Sequence, residues 1–161
     1  MAKARKVPRK YTSGLKKSTA AKRKAQIRAR SKGKVTGKAK YKPLAGDTTR
    51  KTRPSKYTKS ATGLRKAISE ESKKVRSDSN KTKFIRAAAK STGVPSSIIR
   101  RVYERGEAAW GVGHRVGATQ AQWAKARVYS FLQKGKTATM GDKQLYIEAK
   151  KRQTGSDFKL K

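Results

Sequence analysis

Side chains able to do acid–base or nucleophilic chemistry are sparse in this sequence. The 161 residues contain one histidine, His114, and no cysteine, which excludes thiol nucleophiles, disulfides and zinc–thiolate sites. No phosphate-binding Gly-x-x-x-x-Gly-Lys-Ser/Thr loop and no clustered set of metal ligands occurs. Glu104 and Glu107 are three residues apart among several arginines, which is typical of ion pairs on a helix surface. We therefore expect a non-enzymatic protein without catalytic, metal or cofactor sites.

Lysine and arginine, by contrast, are abundant. The chain has 45 of them against 9 Asp and Glu, a formal net charge of +36. So much charge of one sign repels itself, and a compact state that carries it usually depends on a countercharge. Such side chains neutralise phosphates and release condensed counterions, so the affinity falls steeply as salt rises. The excess would match the phosphates of roughly 18 base pairs. These counts predict a protein that binds a polyanion, most of all nucleic acid.

The charge is concentrated toward the N-terminus. Residues 1–66 hold 24 Lys and Arg and a single acid, Asp47, whereas residues 67–161 hold 21 and 8 acids. Large apolar residues are equally scarce in the first part, and they cannot offset the entropy of ordering so long a segment. We expect residues 1–62 to form a long basic arm, extended or ordered by a partner.

One part of the arm has high helix propensity. Ser18 to Arg30 reads STAAKRKAQIRAR, a composition that favours a basic helix lying on a polyanion, and Gly33 and Gly37 would end it. The cations that we expect to contact the polyanion lie mostly in this arm, and the others follow in the second half of the chain. They are Arg5, Lys6, Arg9, Lys10, Lys16, Lys17, Lys22, Arg23, Lys24, Arg28, Arg30, Arg100, Arg101 and Arg115.

Residues 63–153 have the patterns of a small helical domain, followed by a C-terminal tail at residues 154–161. Apolar residues recur at helical spacing, and no segment shows a sustained period of two, so the fold class is all-α. The predicted helices run from Gly63 to Val75, through Lys90 with Asn80 or Thr82 as the cap, from Pro95 to Gly106, from Thr119 to Lys134, and onward from Asp142 as the cap of the last helix. Thr119 and Gln122 have the spacing of a capping box.

A helix-turn-helix-like pair is predicted at residues 84–102. The segment FIRAAAKSTGVPSSIIRRV has a turn glycine, Gly93, and apolar residues along its second half, as this motif requires. Ser96, Ser97, Arg100 and Arg101 would then lie at the start of the second helix, which enters the major groove in DNA-binding versions. The alternative is a helical corner that only packs a small core.

A glycine-rich stretch at residues 105–117 contains the single histidine. Four glycines lie in twelve residues, with Trp110 within the stretch and Trp123 beyond it, which predicts a tight loop that follows a helix ending at Gly106. Its backbone N–H groups could hold a phosphate or carboxylate next to a helix start, with Arg115 as a clamp. The alternative is a compact loop in which the glycines permit positive φ and His114 bonds to backbone.

The stretch at residues 105–131 resembles a segment of an uncharacterised family of small basic proteins from tailed phages and large double-stranded DNA viruses. The shared elements are Arg105-Gly106, Ala108-Ala109-Trp110, Gly113-His114-Arg115 and the tryptophan-containing helix from Trp123 to Arg127. Val116 stands where the family pattern has proline. The resemblance implies a viral protein carried in the virion, and it implies no particular mechanism.

Three functions are consistent with these observations. The first is a virion-associated structural protein that binds nucleic acid, DNA rather than RNA. The second is a minor capsid (cement) protein whose arm threads between acidic capsid subunits, and the third is a ribonucleoprotein component. The basic N-terminus lacks the apolar segment of a secretory signal, and no apolar run is long enough for a membrane span. We expect a component of a larger assembly, without membrane contact.

Overall fold

The computed structural model describes residues 6–49, 51–77 and 79–161. Its regular structure is helical, with no strand in these ranges, so the predicted all-α class is confirmed. Each helix in the described part of the chain is too short or too polar to cross a lipid bilayer. The α-helices are α1 (Lys17–Ser31), α2 (Lys56–Ser60), α3 (Thr62–Lys74), α4 (Asn80–Thr92), α5 (Ser96–Val112), α6 (Gln120–Leu132) and α7 (Lys143–Arg152).

The chain divides into two compact units. The first comprises Met1–Arg53 with Glu107–Trp123, and the second comprises Pro54–Gly106 with Ala124–Lys161. This division differs from the sequence-based one into residues 1–62, 63–153 and 154–161. The C-terminal tail is part of the second unit, where Leu160 is buried and the Tyr146 hydroxyl donates to the Lys161 carbonyl. The predicted basic arm is likewise not a separate part, because Met1–Arg53 lies in the same unit as Glu107–Trp123.

The second unit is built on an apolar core. Side chains at helical spacing on α4, α5 and α6 are fully shielded from solvent, among them Ile85, Ile99, Val102 and Phe131. Aromatic rings join these helices edge to face, as between Phe84 and Tyr129, whose centroids lie 5.9 Å apart. Burial of this kind is the main stabilising contribution in small domains.

The turn between α4 and α5 follows the sequence pattern closely. The Ser79 hydroxyl accepts a hydrogen bond from the Thr82 amide and caps α4, so the cap precedes the predicted Asn80 or Thr82 by one residue or more. Gly93 has a φ of 67°, the left-handed conformation that ends a helix. The Ile98 and Ile99 amides donate to the Pro95 carbonyl at the start of α5.

Gly106 does not end α5, contrary to the prediction, because the helix continues through it to Val112. Its missing side chain serves packing instead. A Cβ at residue 106 would lie 2.6 Å from the Ala124 Cα on α6, which is too close for any side chain. The glycine therefore lets two helix backbones approach each other, a function that composition alone does not distinguish from helix termination.

The capping box at the start of α6 is confirmed. The Thr119 amide donates to the Gln122 side chain at 3.0 Å, and the Gln122 amide donates to the Thr119 hydroxyl at 3.1 Å. At α7, by contrast, the Asp142 side chain makes no capping bond. It is buried and pairs with Arg105 at 2.6 Å and Arg127 at 2.9 Å, so the acid joins helices rather than ending one.

The first unit has little apolar material. Its α1 confirms the helix predicted at Ser18–Arg30, and the chain leaves the helix before Gly33, whose φ is 70°. Val7, Ile27 and Leu44 form a three-residue buried cluster, against which Tyr11 packs. In the structure residues 6–49 fold together with residues 107–123 rather than remaining extended, and a partner requirement for this order stays a prediction.

Candidate functional site

Helix α1 has a buried stripe with two arginines. The side chains that face inward are Arg23, Ile27 and Arg30, at positions i, i+4 and i+7. Arg23 is 0% exposed and Arg30 is 7% exposed. Both were predicted to contact the polyanion, and the structure instead places their guanidinium groups inside the first unit.

Arg23 ties three segments together. Its Nη1 donates to the Ala45 carbonyl at 2.9 Å and to Asp47 Oδ1 at 2.8 Å, and its Nη2 donates to the His114 carbonyl at 2.8 Å. A guanidinium remains protonated in proteins, so its burial requires a nearby negative charge. Asp47 supplies that charge.

Asp47 receives hydrogen bonds on both carboxylate oxygens. Besides Arg23, its donors are the Leu44 amide at 2.7 Å, the Gly117 amide at 3.0 Å and the His114 ring at 2.7 Å. Burial by itself raises the pKa of this carboxyl, but the hydrogen bond and charge of His114, together with the two amides, outweigh burial and lower the pKa to about 2. Asp47 is therefore ionised at neutral pH.

The His114 ring faces an acceptor on each side. Nδ1 lies 2.9 Å from the Trp110 carbonyl oxygen and Nε2 lies 2.7 Å from the ionised Asp47. A carbonyl and an ionised carboxylate can only accept hydrogen bonds, so the ring nitrogens are the donors that this arrangement offers. The ring stacks on Trp110 with centroids 4.2 Å apart and planes 8° apart.

In the loop before α6, where one interpretation had backbone N–H groups holding a phosphate or carboxylate, the Gly117 amide donates to the carboxylate of Asp47. Binding of an external anion by this loop stays a prediction. The same loop is fixed at its ends, since the Trp110 indole donates to the Ala118 carbonyl at 2.7 Å. His114 bonds both to backbone, as the alternative interpretation held, and to the carboxylate.

Arg30 is the last residue of the buried stripe on α1. Its Nη2 donates to the Lys42 carbonyl at 2.7 Å, and its Nη1 reaches the Gly111 carbonyl at 3.5 Å. Burial lowers the pKa of this guanidinium, Asp47 acts in the opposite direction, and the charge of Arg23 lowers the pKa further. Two buried arginines thus connect α1 to the loops at residues 42–47 and 111–114.

The remaining predicted cations of this segment face solvent, with Arg5 outside the described residues. On α5, Arg100 and Arg101 are also exposed, and Arg101 lies 3.6 Å from Glu148. The helix-turn-helix use of α4 and α5 stays a prediction. The exposed cations predicted in the basic segment are Lys6, Arg9, Lys10, Lys16, Lys17, Lys22, Lys24 and Arg28.

A basic groove lies on the first unit. Its cavity volume is about 420 Å³, and four of its lining residues are cations drawn from three parts of the sequence. We call this site the basic groove, and it is lined by Lys10, Ser13, Lys51, Thr52, Arg53, Arg115 and Val116. Lys10 and Arg115 were predicted to contact a polyanion, whereas Lys51 and Arg53 were not among the predicted residues, because nothing in the local sequence indicates that they line a cavity.

Comparison with known proteins gives a match to a protein family. A model described as a family of unknown function (DUF5824) matches residues 8–147, which include the whole of the segment at residues 105–131. The match confirms that the chain belongs to a family without an assigned function. A viral origin stays a prediction. No curated protein and no solved structure matches the chain.

Proposed function

The chain belongs to the DUF5824 family, a family of unknown function, and from its charge distribution we propose that it is a non-enzymatic structural protein that binds a polyanion, nucleic acid in the first place. The binding groups are exposed lysine and arginine side chains of the first unit. The virion is its proposed location, which rests on the resemblance at residues 105–131 alone.

The observation that carries this proposal is the position of Asp47. It is the single acid among residues 1–66, and its side chain is only 9% exposed because Arg23 and His114 hold it inside the unit. The one carboxylate of that segment therefore pairs with Arg23 and His114 in the interior. With 24 Lys and Arg against this single acid, residues 1–66 keep a large excess of positive charge.

Helix α1 presents part of this surface in a regular array. Lys17, Lys24 and Arg28 are exposed, and their spacing of seven and eleven residues places them on one face of the helix. Lysines of this kind contact phosphates and carry little sequence information. We expect binding that tracks the backbone of the nucleic acid, with weak preference among base sequences.

Nucleic acid fits this surface better than an acidic protein for a physical reason. A duplex presents one charge for about every 1.7 Å of axis, so a convex array of cations finds phosphates without shape matching. DNA is preferred to RNA in the proposal because of the resemblance to proteins of DNA viruses.

The test is a salt titration. Fluorescence anisotropy of a labelled 20-bp duplex of mixed sequence is measured with the full chain between about 50 and 200 mM salt. Engagement of six to ten phosphates predicts that the affinity falls by about 10³–10⁵-fold across this range. An affinity that ignores salt, or that strongly selects one sequence, contradicts the proposal.

Two further measurements locate the binding and identify the polyanion. Joint substitution of Lys17→Gln, Lys24→Gln and Arg28→Gln is expected to reduce the salt slope by about three. The matched control changes the exposed Lys150, Lys151 and Lys159 to Gln, and an equal reduction there contradicts the assignment to α1. Polyglutamate of equal charge is the competitor, and tighter binding to it than to the duplex would favour an acidic protein as partner.

A further inference from the structure

Basic side chains gather at two places in the first unit, and the two differ in one respect. Inside the unit, Arg23 and His114 meet around the carboxylate of Asp47. In the basic groove Lys51, Arg53 and Arg115 line one cavity together with Lys10, and no acid is among its described lining residues. The interior site shows how this unit accommodates a buried guanidinium, namely with an anion in hydrogen-bonding range.

We propose that the basic groove is a phosphate-binding site in which an external phosphate group takes the place that Asp47 takes in the interior. This inference rests on the proposed polyanion function. It assigns one specific phosphate-binding site on a surface whose other cations are spread over many positions. The ligand is a phosphate with its attached sugar, or a short run of linked phosphates.

The composition of the groove fits phosphate chemistry. Arg53 and Arg115 supply planar guanidinium groups that can bind two oxygens at once. Lys10 and Lys51 add compact positive charges, and Thr52 brings a hydroxyl that can donate. A carboxylate, with one charge and two oxygens, would leave most of these groups unmatched, whereas phosphates supply both more charge and more acceptors.

The size of the groove indicates more than a lone ion. Its volume of about 420 Å³ falls within the ~300–1,000 Å³ range of small-molecule clefts. Val116 supplies an apolar wall, which suits the carbon atoms of a sugar. A concave site with cations on its walls also concentrates the positive potential, so it attracts anions more strongly than the same charges on a convex helix face.

Two walls of the groove are anchored to the buried network. Arg115 follows His114, whose ring is held by Asp47 and by the Trp110 carbonyl. Lys10 precedes Tyr11, whose ring packs edge-on against Trp123 at 5.9 Å. The site is therefore partly preorganised, and less ordering is needed when a phosphate binds.

The test uses tripolyphosphate as a compact probe, with its affinity for the full chain measured by isothermal titration calorimetry. Joint substitution of Arg53→Gln and Arg115→Gln is expected to weaken tripolyphosphate binding by about tenfold or more. The charge-matched control is Lys150→Gln with Lys151→Gln, which is expected to change the affinity less than about twofold. A second groove variant, Lys51→Gln with Arg53→Gln, leaves the loop at His114 intact and guards against misfolding.

The outcomes separate this inference from the proposed function. If the groove and control variants lose equal affinity for tripolyphosphate, the groove assignment is overturned, even if the chain binds the duplex with the expected salt dependence. Tripolyphosphate binding that the groove variants abolish, in a protein that does not bind the duplex, supports the groove and identifies free polyphosphate as the ligand.

A competition experiment identifies nucleic acid as the source of the phosphate. At constant ionic strength, saturating tripolyphosphate should weaken duplex binding by the wild-type chain to the level of the groove variant, and should leave the groove variant unchanged. Equal competition in both proteins would contradict occupation of the groove by the duplex backbone.

Discussion

Each of the two units of this protein is stabilised by a different kind of interaction in its interior. The second unit buries a large apolar cluster that includes Ile99 and Phe131. The first unit has a buried apolar cluster of only three residues and relies on Arg23, Asp47 and His114, whose contacts of 2.7–2.8 Å lie in the interior. A basic sequence poor in apolar residues can thus fold locally by placing its one acid where several hydrogen-bond donors can share it.

The same contrast between buried and exposed interactions is seen in two ion pairs of nearly equal length. Arg23 and Asp47 meet at 2.8 Å with side chains 0% and 9% exposed, whereas Lys73 and Glu70 meet at 2.9 Å with side chains 69% and 54% exposed. Removal of one partner leaves an unpaired buried charge in the first case and a hydrated one in the second. Burial, rather than distance, decides what each ion pair contributes.

The largest expected effect comes from Asp47→Asn. The substitution keeps the shape of the side chain and leaves the Arg23 guanidinium buried without its countercharge, which costs about 3–5 kcal/mol of unfolding free energy. Both tryptophans of the chain, Trp110 and Trp123, lie in the first unit. Tryptophan fluorescence during urea denaturation therefore measures the loss there directly.

The matched control for that substitution is Asp157→Asn. Asp157 is an exposed acid of the second unit, and its loss changes the net charge by the same amount. We expect a change below about 0.5 kcal/mol. Similar tryptophan transitions in the two variants would contradict the central position given to Asp47.

Acid should weaken the first unit within a defined pH window. The pKa of Asp47 is lowered from 3.8 to about 2 in the folded chain, so its stabilisation is complete above about pH 4 and is lost as the pH falls through about 2. The shift corresponds to about 1–2 kcal/mol after allowance for solvent screening. A ¹³C NMR titration of the Asp47 carboxyl measures the midpoint, and a midpoint near 4 would contradict the network.

The smallest expected effect comes from Glu70→Gln on α3. The Lys73–Glu70 pair is exposed, so its loss should change the unfolding free energy by less than about 0.5 kcal/mol. Far-UV circular dichroism during urea denaturation measures this change. A loss above about 2 kcal/mol would remove the contrast between buried and exposed pairs.

Much of the second unit was predictable because its local signals agree with its packing. Gly93 and the apolar periodicity of α4 to α6 each mark an element that the structure contains. Gly106 and Asp142 were misassigned because both have common local functions. In the structure each one acts on a residue distant in sequence, Ala124 or Arg105, and only the tertiary arrangement reveals such a partner.

The first unit was harder to predict, since its buried stripe does not look apolar. A periodicity of hydrophobic residues would find Ile27 on α1 and miss Arg23 and Arg30 on either side of it. One signal in the sequence could have pointed to the network: Asp47 is alone among 24 cations. A lone acid in such surroundings is a natural countercharge for a buried arginine, although its partners cannot be identified without the fold.

The close approach at Gly106 limits how the sequence can evolve. Every other amino acid adds a Cβ, and that atom would collide with the backbone Cα of Ala124 rather than with a side chain alone. A compensating mutation that shrinks residue 124 cannot relieve the collision, because its Cα is present in all residues. Glycine at this position can be replaced only if the two helices separate, so relatives with the same helix spacing should share it.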